Sequence, residues 1–208
     1  WSVDRYDDYM SGEKGTLKIV LNKFHNRNVG DNGSTAEWLW KVKLLPSTDN
    51  TSHILAARTT TDESKEVGKR SYYSFNDPSV TLSDIPLASS TTFSITPMLE
   101  EDDGSDLGVT NSNNDPNDLY CTDTSGPHFN FSVSNGKIIF TGVDTPKDKA
   151  KGYFALSSGG LSNDALSLQI GDKDNPNSQR FFLVLKQFDD TNSDEWVEFV
   201  LILYWEKN

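Results

Sequence analysis

The chain has 208 residues, one cysteine and a formal charge of −12, with a pI near 4.6. One cysteine rules out an intramolecular disulfide, a CxxC redox pair and a thiolate zinc site. The acidity repels phosphate backbones and anionic lipid, so nucleic acid is not an expected partner, and no apolar run is long enough for a membrane-spanning helix.

A chain of this length buries roughly 70% of its unfolded surface and needs no staples to hold a core. The acidic residues concentrate at "EEDDGSD" (100–106) and "DDTNSDE" (189–195), which read as solvated turns. The lone Cys121 lies in "DLYCTDTSGP", where acidic neighbours blunt a thiol's nucleophilicity, and it reads as a small buried hydrophobe. The chain opens on "WSVDRYDDY" without a targeting signal and closes at "LYWEKN" directly after a strand. It is therefore expected to be one domain, 1–208, excised from a longer polypeptide.

Strand signals dominate from the start. "GTLKIVLNKF" (15–24) sets Leu17, Ile19 and Leu21 against Lys18 and Asn22, and "EWLWKVKLL" sets Trp38, Trp40, Val42 and Leu44 against Leu39, Lys41 and Lys43. Each pattern predicts one core face and one mostly wet face. The Asn- and Gly-rich "HNRNVGDNGST" between them is turn chemistry. Weaker strands follow at "HILAARTTT", "SYYSF", "SVTLSDI" and "TTFSITPML", separated by polar runs such as "TDESKEVGK". The stretch from Glu100 to Pro127 reads as one long irregular region, a length at which loops are commonly mobile or functional.

"HFNFSVSNGKIIFTGV" (128–143) predicts a hairpin in which Asn135-Gly136 supplies the two positive-φ residues of a type I′ turn. A second hairpin joins "KGYFALSS" to "LSNDALSLQI" through Gly159-Gly160 or a longer loop. No long segment keeps a helical period, and the Ser, Thr, Asn and Asp content competes with helix interiors for backbone hydrogen bonds. The expected fold is all-β: an antiparallel β-sandwich or barrel-like domain of about ten strands with long loops.

The last segment, "RFFLVLKQFDDTNSDEWVEFVLILYWEKN", is apolar on both faces of both strands. Val197, Phe199, Leu201, Leu203 and Trp205 share one face of the second strand, while Trp196, Val200, Ile202 and Tyr204 share the other. A strand with one wet face alternates, so this pair must be covered on both sides. Two arrangements satisfy that: a central hairpin overlaid by loops of the same chain, or a homodimer interface formed by Trp196, Val200, Ile202 and Tyr204, where aromatic enrichment suits an interface centre.

Chemistry is sparse. His25, His53 and His128 show no HxH or HExxH spacing, and "SSGG" (157–160) lacks the context of a nucleophile elbow. Oxygen-rich runs at Asn111, Asn113 and Asp115 and at Asp172 and Asp174 suit Ca²⁺ in type, but Pro116 and Asn177 stand where the calcium loop requires glycine, so they read as turns. Asn-x-Ser/Thr triplets at Asn32, Asn50 and Asn130 are chance products of the composition. No catalytic, metal or cofactor site is expected. The pair Tyr72-Tyr73, beside Lys69 and Arg70, is the candidate binding contact for a sugar or protein; alternation along a strand sends the two rings to opposite faces, so one belongs to the core.

A strand-rich chain with polar loops, no disulfide and a doubly apolar closing hairpin ("RFFLVL", "EFVLILYW") resembles the protruding domain of a non-enveloped virus capsid, and among these is most similar in length and organisation to astrovirus capsid spikes. The resemblance rests on character over the whole chain and carries over no residue. It implies a non-enzymatic, homodimeric spike on the virion surface that contacts a host-cell receptor, glycan or protein, and carries antibody epitopes, with multivalency compensating for weak single contacts. The alternatives are a secreted lectin-like sandwich or toxin, and a β-jelly-roll glycosidase. The terminal hairpin is too apolar on both faces to alternate lipid and lumen as a pore strand does, so direct membrane insertion is not expected.

Overall fold

The computed structural model describes residues 12–27, 29, 35–46, 51–86, 90–102, 106–107, 118–121, 128–134, 137–144, 150–156, 161–163, 167–169, 178–188 and 196–208. The architecture is all-β, two antiparallel sheets facing each other as a sandwich and not a closed barrel. One sheet, called the front sheet here, holds β1 (Lys14–Asn26), β5 (Ser71–Ser74), β6 (Ser79–Pro86), β11 (Ala150–Leu156), β12 (Leu161–Asn163), β14 (Ser178–Phe188) and β15 (Trp196–Lys207). The back sheet holds β2 (Thr35–Pro46), β3 (His53–Arg58), β4 (Lys65–Gly68), β7 (Thr91–Glu101), β8 (Asp118–Cys121), β9 (His128–Ser134), β10 (Lys137–Asp144) and β13 (Ser167–Gln169).

The front sheet runs β12-β11-β14-β15-β1-β5, with β6 also on β1; the back sheet runs β13-β10-β9-β7-β2-β3, with β4 on β2 and β8 on β7. The closing pair β14–β15 is thus central, flanked by β11 and β1, which is why neither strand shows an edge pattern. Their inward side chains Leu183, Leu185, Val197, Phe199, Leu201, Leu203 and Trp205 are buried against the inward faces of β2, β7 and β9.

Aromatic rings knit the two sheets. Phe24 of β1 packs on Trp38 and Trp40 of β2, with ring centroids 5.2 and 5.5 Å away, and on Phe199 at 5.2 Å. Phe93 and Phe131, paired across β7 and β9, stack at 4.9 Å. A buried amide adds a polar tie: Asn26 Nδ2 donates to the carbonyls of Val29 and Val67 at 2.8 and 2.9 Å, and its Oδ1 accepts from the Val29 N–H at 2.9 Å. That side chain fastens the end of β1 to β4 in the opposite sheet.

The first expected hairpin pairs as its sequence suggests, while the second holds only for Leu161–Asn163, because Ser167–Gln169 of "LSNDALSLQI" crosses to the back sheet and pairs with β10. Ser134 faces Lys137 across β9 and β10, and Ala155 faces Leu161 across β11 and β12; the turns Asn135-Gly136 and Gly159-Gly160 lie outside the described residues. Several details depart from expectation. The described strands number 15 instead of about ten, because short edge segments such as β4, with Val67 as its one buried residue, leave no readable period. "TDESKEVGK" contains a 3-10 turn at Thr61–Glu63 and then β4. The stretch 100–127 is not wholly irregular, nor is its start a solvated turn: Glu100 and Glu101 end β7 and are buried with Asp102, and Asp118–Cys121 form β8. Val20 and Leu39, on the nominally wet faces, are buried.

Candidate functional site: the outer face of the front sheet

Alternation in β1, β14 and β15 sends every second side chain away from the core, and strand register lines these up in rows. One row runs Thr81–Lys18–Tyr204–Arg180 across β6, β1, β15 and β14. The next runs Ser79–Val20–Ile202–Phe182 across the same strands. Val200 then faces Val184, and a further row runs Tyr72–His25–Glu198–Lys186 across β5, β1, β15 and β14. Trp196 ends the face.

Two regions result. The apolar region holds Phe182, Val184, Val200 and Trp196, each half-buried. Cations sit over the aromatic rings of the outer face: Lys186 Nζ is 4.1 Å from the Trp196 ring centre, the Arg180 guanidinium is 5.0 Å from that of Phe182, and, beside the apolar region, Lys23 Nζ is 4.5 Å from that of Tyr72. Such stacking shields apolar surface while leaving the charge in water.

The second region is a cavity of about 570 Å³, within the size range of small-ligand pockets. Val20 and Ile202 line it, both about 5% exposed or less, together with Lys18, Tyr204, Arg180 and Thr81 from a single cross-strand row. Thr16 and Glu206, register partners one row further, also line it. The remaining wall is irregular backbone. A bulge between Leu21 and Lys23 frees Asn22 from the ladder, and Asp77, in the segment after β5, has φ 47°. Two backbone hydrogen bonds of 3.0 Å, Leu21 N–H to the Pro78 carbonyl and Phe75 N–H to the Asn22 carbonyl, clamp that segment onto the bulge.

The row through Glu198 is electrostatically built. Arg27 Nε donates to Glu198 Oε2 at 2.7 Å, and His25 Nδ1 lies 3.7 Å from the same oxygen, an ion-pair distance beyond hydrogen-bond reach. Burial works to raise the Glu198 pKa, but the His25 and Arg27 partners outweigh it and hold the carboxyl below the ordinary glutamate value. Glu198 is a carboxylate at neutral pH.

The sequence candidates fall as follows. Tyr72, 57% exposed, shares this face with Trp196, Val200, Ile202 and Tyr204, and its ring lies 5.8 Å from that of His25. Tyr73 points inward, against Trp40 at 5.5 Å and Phe75 at 5.2 Å. The four hairpin residues divide: Trp196 and Val200 belong to the apolar region, Ile202 and Tyr204 to the cavity. Lys18, Asn22, Asp77, Thr81, Arg180 and Glu206 were not singled out by the sequence, since they come from four separate segments and only register gathers them. Alternation in "LKIVLN" was the available signal for Lys18.

His25 and His53 lie in opposite sheets, and no group of three or more His, Cys, Asp or Glu able to hold a metal occurs among the described residues. The oxygen-rich runs 111–117 and 171–177, the "SSGG" segment, Asn32 and Asn50, and the side chains of Cys121 and His128 lie outside the described residues. Comparison with known protein families and with curated proteins finds no match to this chain, so the functional reading rests on the site's own geometry.

Proposed function

We propose that the chain is a non-enzymatic recognition domain, a surface projection of the kind carried by non-enveloped virus capsids, which acts as a homodimer, attaches the particle to a host-cell receptor and presents antibody epitopes. The observation that carries this is the outer face of β14–β15: a central strand pair bearing Phe182, Val184, Val200 and Trp196 away from the core. Apolar and aromatic side chains grouped on an outer sheet face favour contact with a partner. A second copy is the partner proposed, since two-fold pairs are the commonest oligomers and set one such patch against itself.

Around the apolar region stand Lys23, Arg27, Arg180 and Lys186 against Glu198, while the chain as a whole carries −12. Both the surplus of cations on the face and the overall charge repel a second copy, so self-association tightens as salt screens them.

Light scattering on the purified domain tests the reading. A mass near twice 23.2 kDa, falling to one copy in a folded Trp196→Glu/Val200→Lys variant, supports it. Val200 is chosen over Ile202 because Ile202 is already buried within its own chain. A monomer at high concentration and raised salt overturns the dimer and moves the reading to a solitary, lectin-like sandwich.

A further inference from the structure

We infer that the cavity on the outer face of the front sheet is a binding site for an acidic sugar, a carboxylate-bearing terminal residue of a glycan. The proposal deepens the recognition reading without depending on self-association.

The polar groups around the cavity set the chemistry. Lys18 and Arg180 flank Tyr204 in one row, so the two cations rise from strands about 10 Å apart with an aromatic ring between them. Arg180 is exposed and its guanidinium lies 5.5 Å from the Tyr204 ring centre, and neither cation forms an ion pair among the described residues. A planar guanidinium with free N–H groups matches a carboxylate in two-point geometry.

The opposite requirement comes from Asp77 and Glu206, which also line the cavity without an ion pair among the described residues. A carboxylate only accepts, so these two need a ligand rich in hydroxyl donors, while Asn22 and Thr81 both donate and accept and Thr16, whose hydroxyl donates to Asn208 Oδ1 at 3.0 Å, accepts. Val20, Ile202 and Tyr204 supply the apolar surface against which the C–H face of a sugar ring packs. One negative group and several hydroxyls on a ring with an apolar face satisfy all of these groups together. A fully anionic ligand such as a phosphate would meet Asp77 and Glu206 unfavourably, and a neutral sugar would leave Lys18 and Arg180 unmatched.

The backbone supports a built site. Residues before proline strongly prefer extended conformations, yet Asp77, preceding Pro78, has φ 47°. Bulges recur beside binding sites because they re-aim a side chain, and here the bulge delivers Asn22 to the same wall. The two clamping hydrogen bonds hold both departures in place.

The test is a titration of the purified domain with the α-methyl glycoside of N-acetylneuraminic acid and with methyl glucuronide, using methyl glucoside as the neutral control, followed by NMR. Saturable shifts at cavity residues are expected, with a Kd on the order of 1 mM. Arg180→Ala and Lys18→Ala, both at exposed positions, are each expected to weaken binding roughly tenfold, the loss of one charge-assisted hydrogen bond. Trp196→Glu/Val200→Lys is expected to leave this binding intact. Equal binding of the neutral control, or acidic-sugar binding indifferent to Arg180 and Lys18, overturns the acidic-sugar assignment while keeping a recognition role. No saturable binding of any sugar overturns the site itself, and leaves the self-association test standing by itself.

Discussion

The indole of Trp205 occupies the space that a Cβ on Gly15 would fill. Trp205 is paired in register with Leu17, so its ring reaches diagonally across β1 toward the bare backbone two residues earlier, and both residues are buried. Glycine at this position is a packing requirement set by the inward-facing tryptophan of the closing strand. Gly15→Ala is therefore expected to destabilise the domain by about 1–3 kcal/mol, the usual cost of overpacking. Nothing lies within 4 Å of a Cβ built on Gly12, so Gly12→Ala is expected to stay within about 0.5 kcal/mol of the parent. Urea midpoints of the two variants decide it, and equal midpoints would mean that the ring swings aside freely.

The fold class was legible because core periodicity survives in the long strands. Leu17, Ile19 and Leu21, and Trp38, Trp40, Val42 and Leu44, alternate as half-buried strands should, and all face the core. The doubly apolar character of 180–205 likewise marked the central position of β14–β15. What the sequence left hidden is contact that alternation cannot express. Asn26 reads as part of a turn-rich segment, yet its amide ties β1 to the Val67 carbonyl of β4. Lys18 and Arg180 are far apart in the chain and become neighbours of one ring only through the register of three strands. Short edge strands are invisible for a related reason, since four residues with one buried side chain have no period.

Glu198 gives the outer face a pH dependence whose sign follows from its partners. Its folded pKa lies below the ordinary value because His25 and Arg27 outweigh the effect of burial, so the unfolded chain binds more protons as the pH falls past about 4.3, the free glutamate value. The stability it contributes is complete above that value and is lost as pH falls through the lower, folded pKa. Glu198→Gln is expected to cost about 1–2 kcal/mol at neutral pH, the scale of a charge-assisted hydrogen bond. The gap between parent and variant should close in acid, as the pH falls below the ordinary glutamate value and through the lower folded one. Denaturant midpoints across that range check it; a gap of constant size would place the effect in packing instead of charge.

Tyr72 and Tyr73, adjacent in the chain and opposite in direction, separate surface from core in one experiment. Tyr73 packs on Trp40 and Phe75, accepts a hydrogen bond of 3.4 Å at its hydroxyl from the Arg58 guanidinium, and has the Arg58 and Lys65 cations each 5.7 Å from its ring centre. Because Arg58 and Lys65 belong to the back sheet and Tyr73 to the front, the ring helps close one edge of the sandwich. Tyr73→Ala removes an aromatic wedge and is expected to cost about 2–4 kcal/mol, somewhat below the loss of a fully buried ring. Tyr72 is largely exposed and keeps a contact with Lys23, worth about 0.5–1 kcal/mol at such a site, so Tyr72→Ala is expected to cost no more than that. If receptor contact involves this face, Tyr72→Ala lowers binding while leaving the unfolding midpoint nearly unchanged, whereas Tyr73→Ala lowers the midpoint first. The reverse order would mean that Tyr72 holds the edge of the sheet and that its exposure has no bearing on recognition.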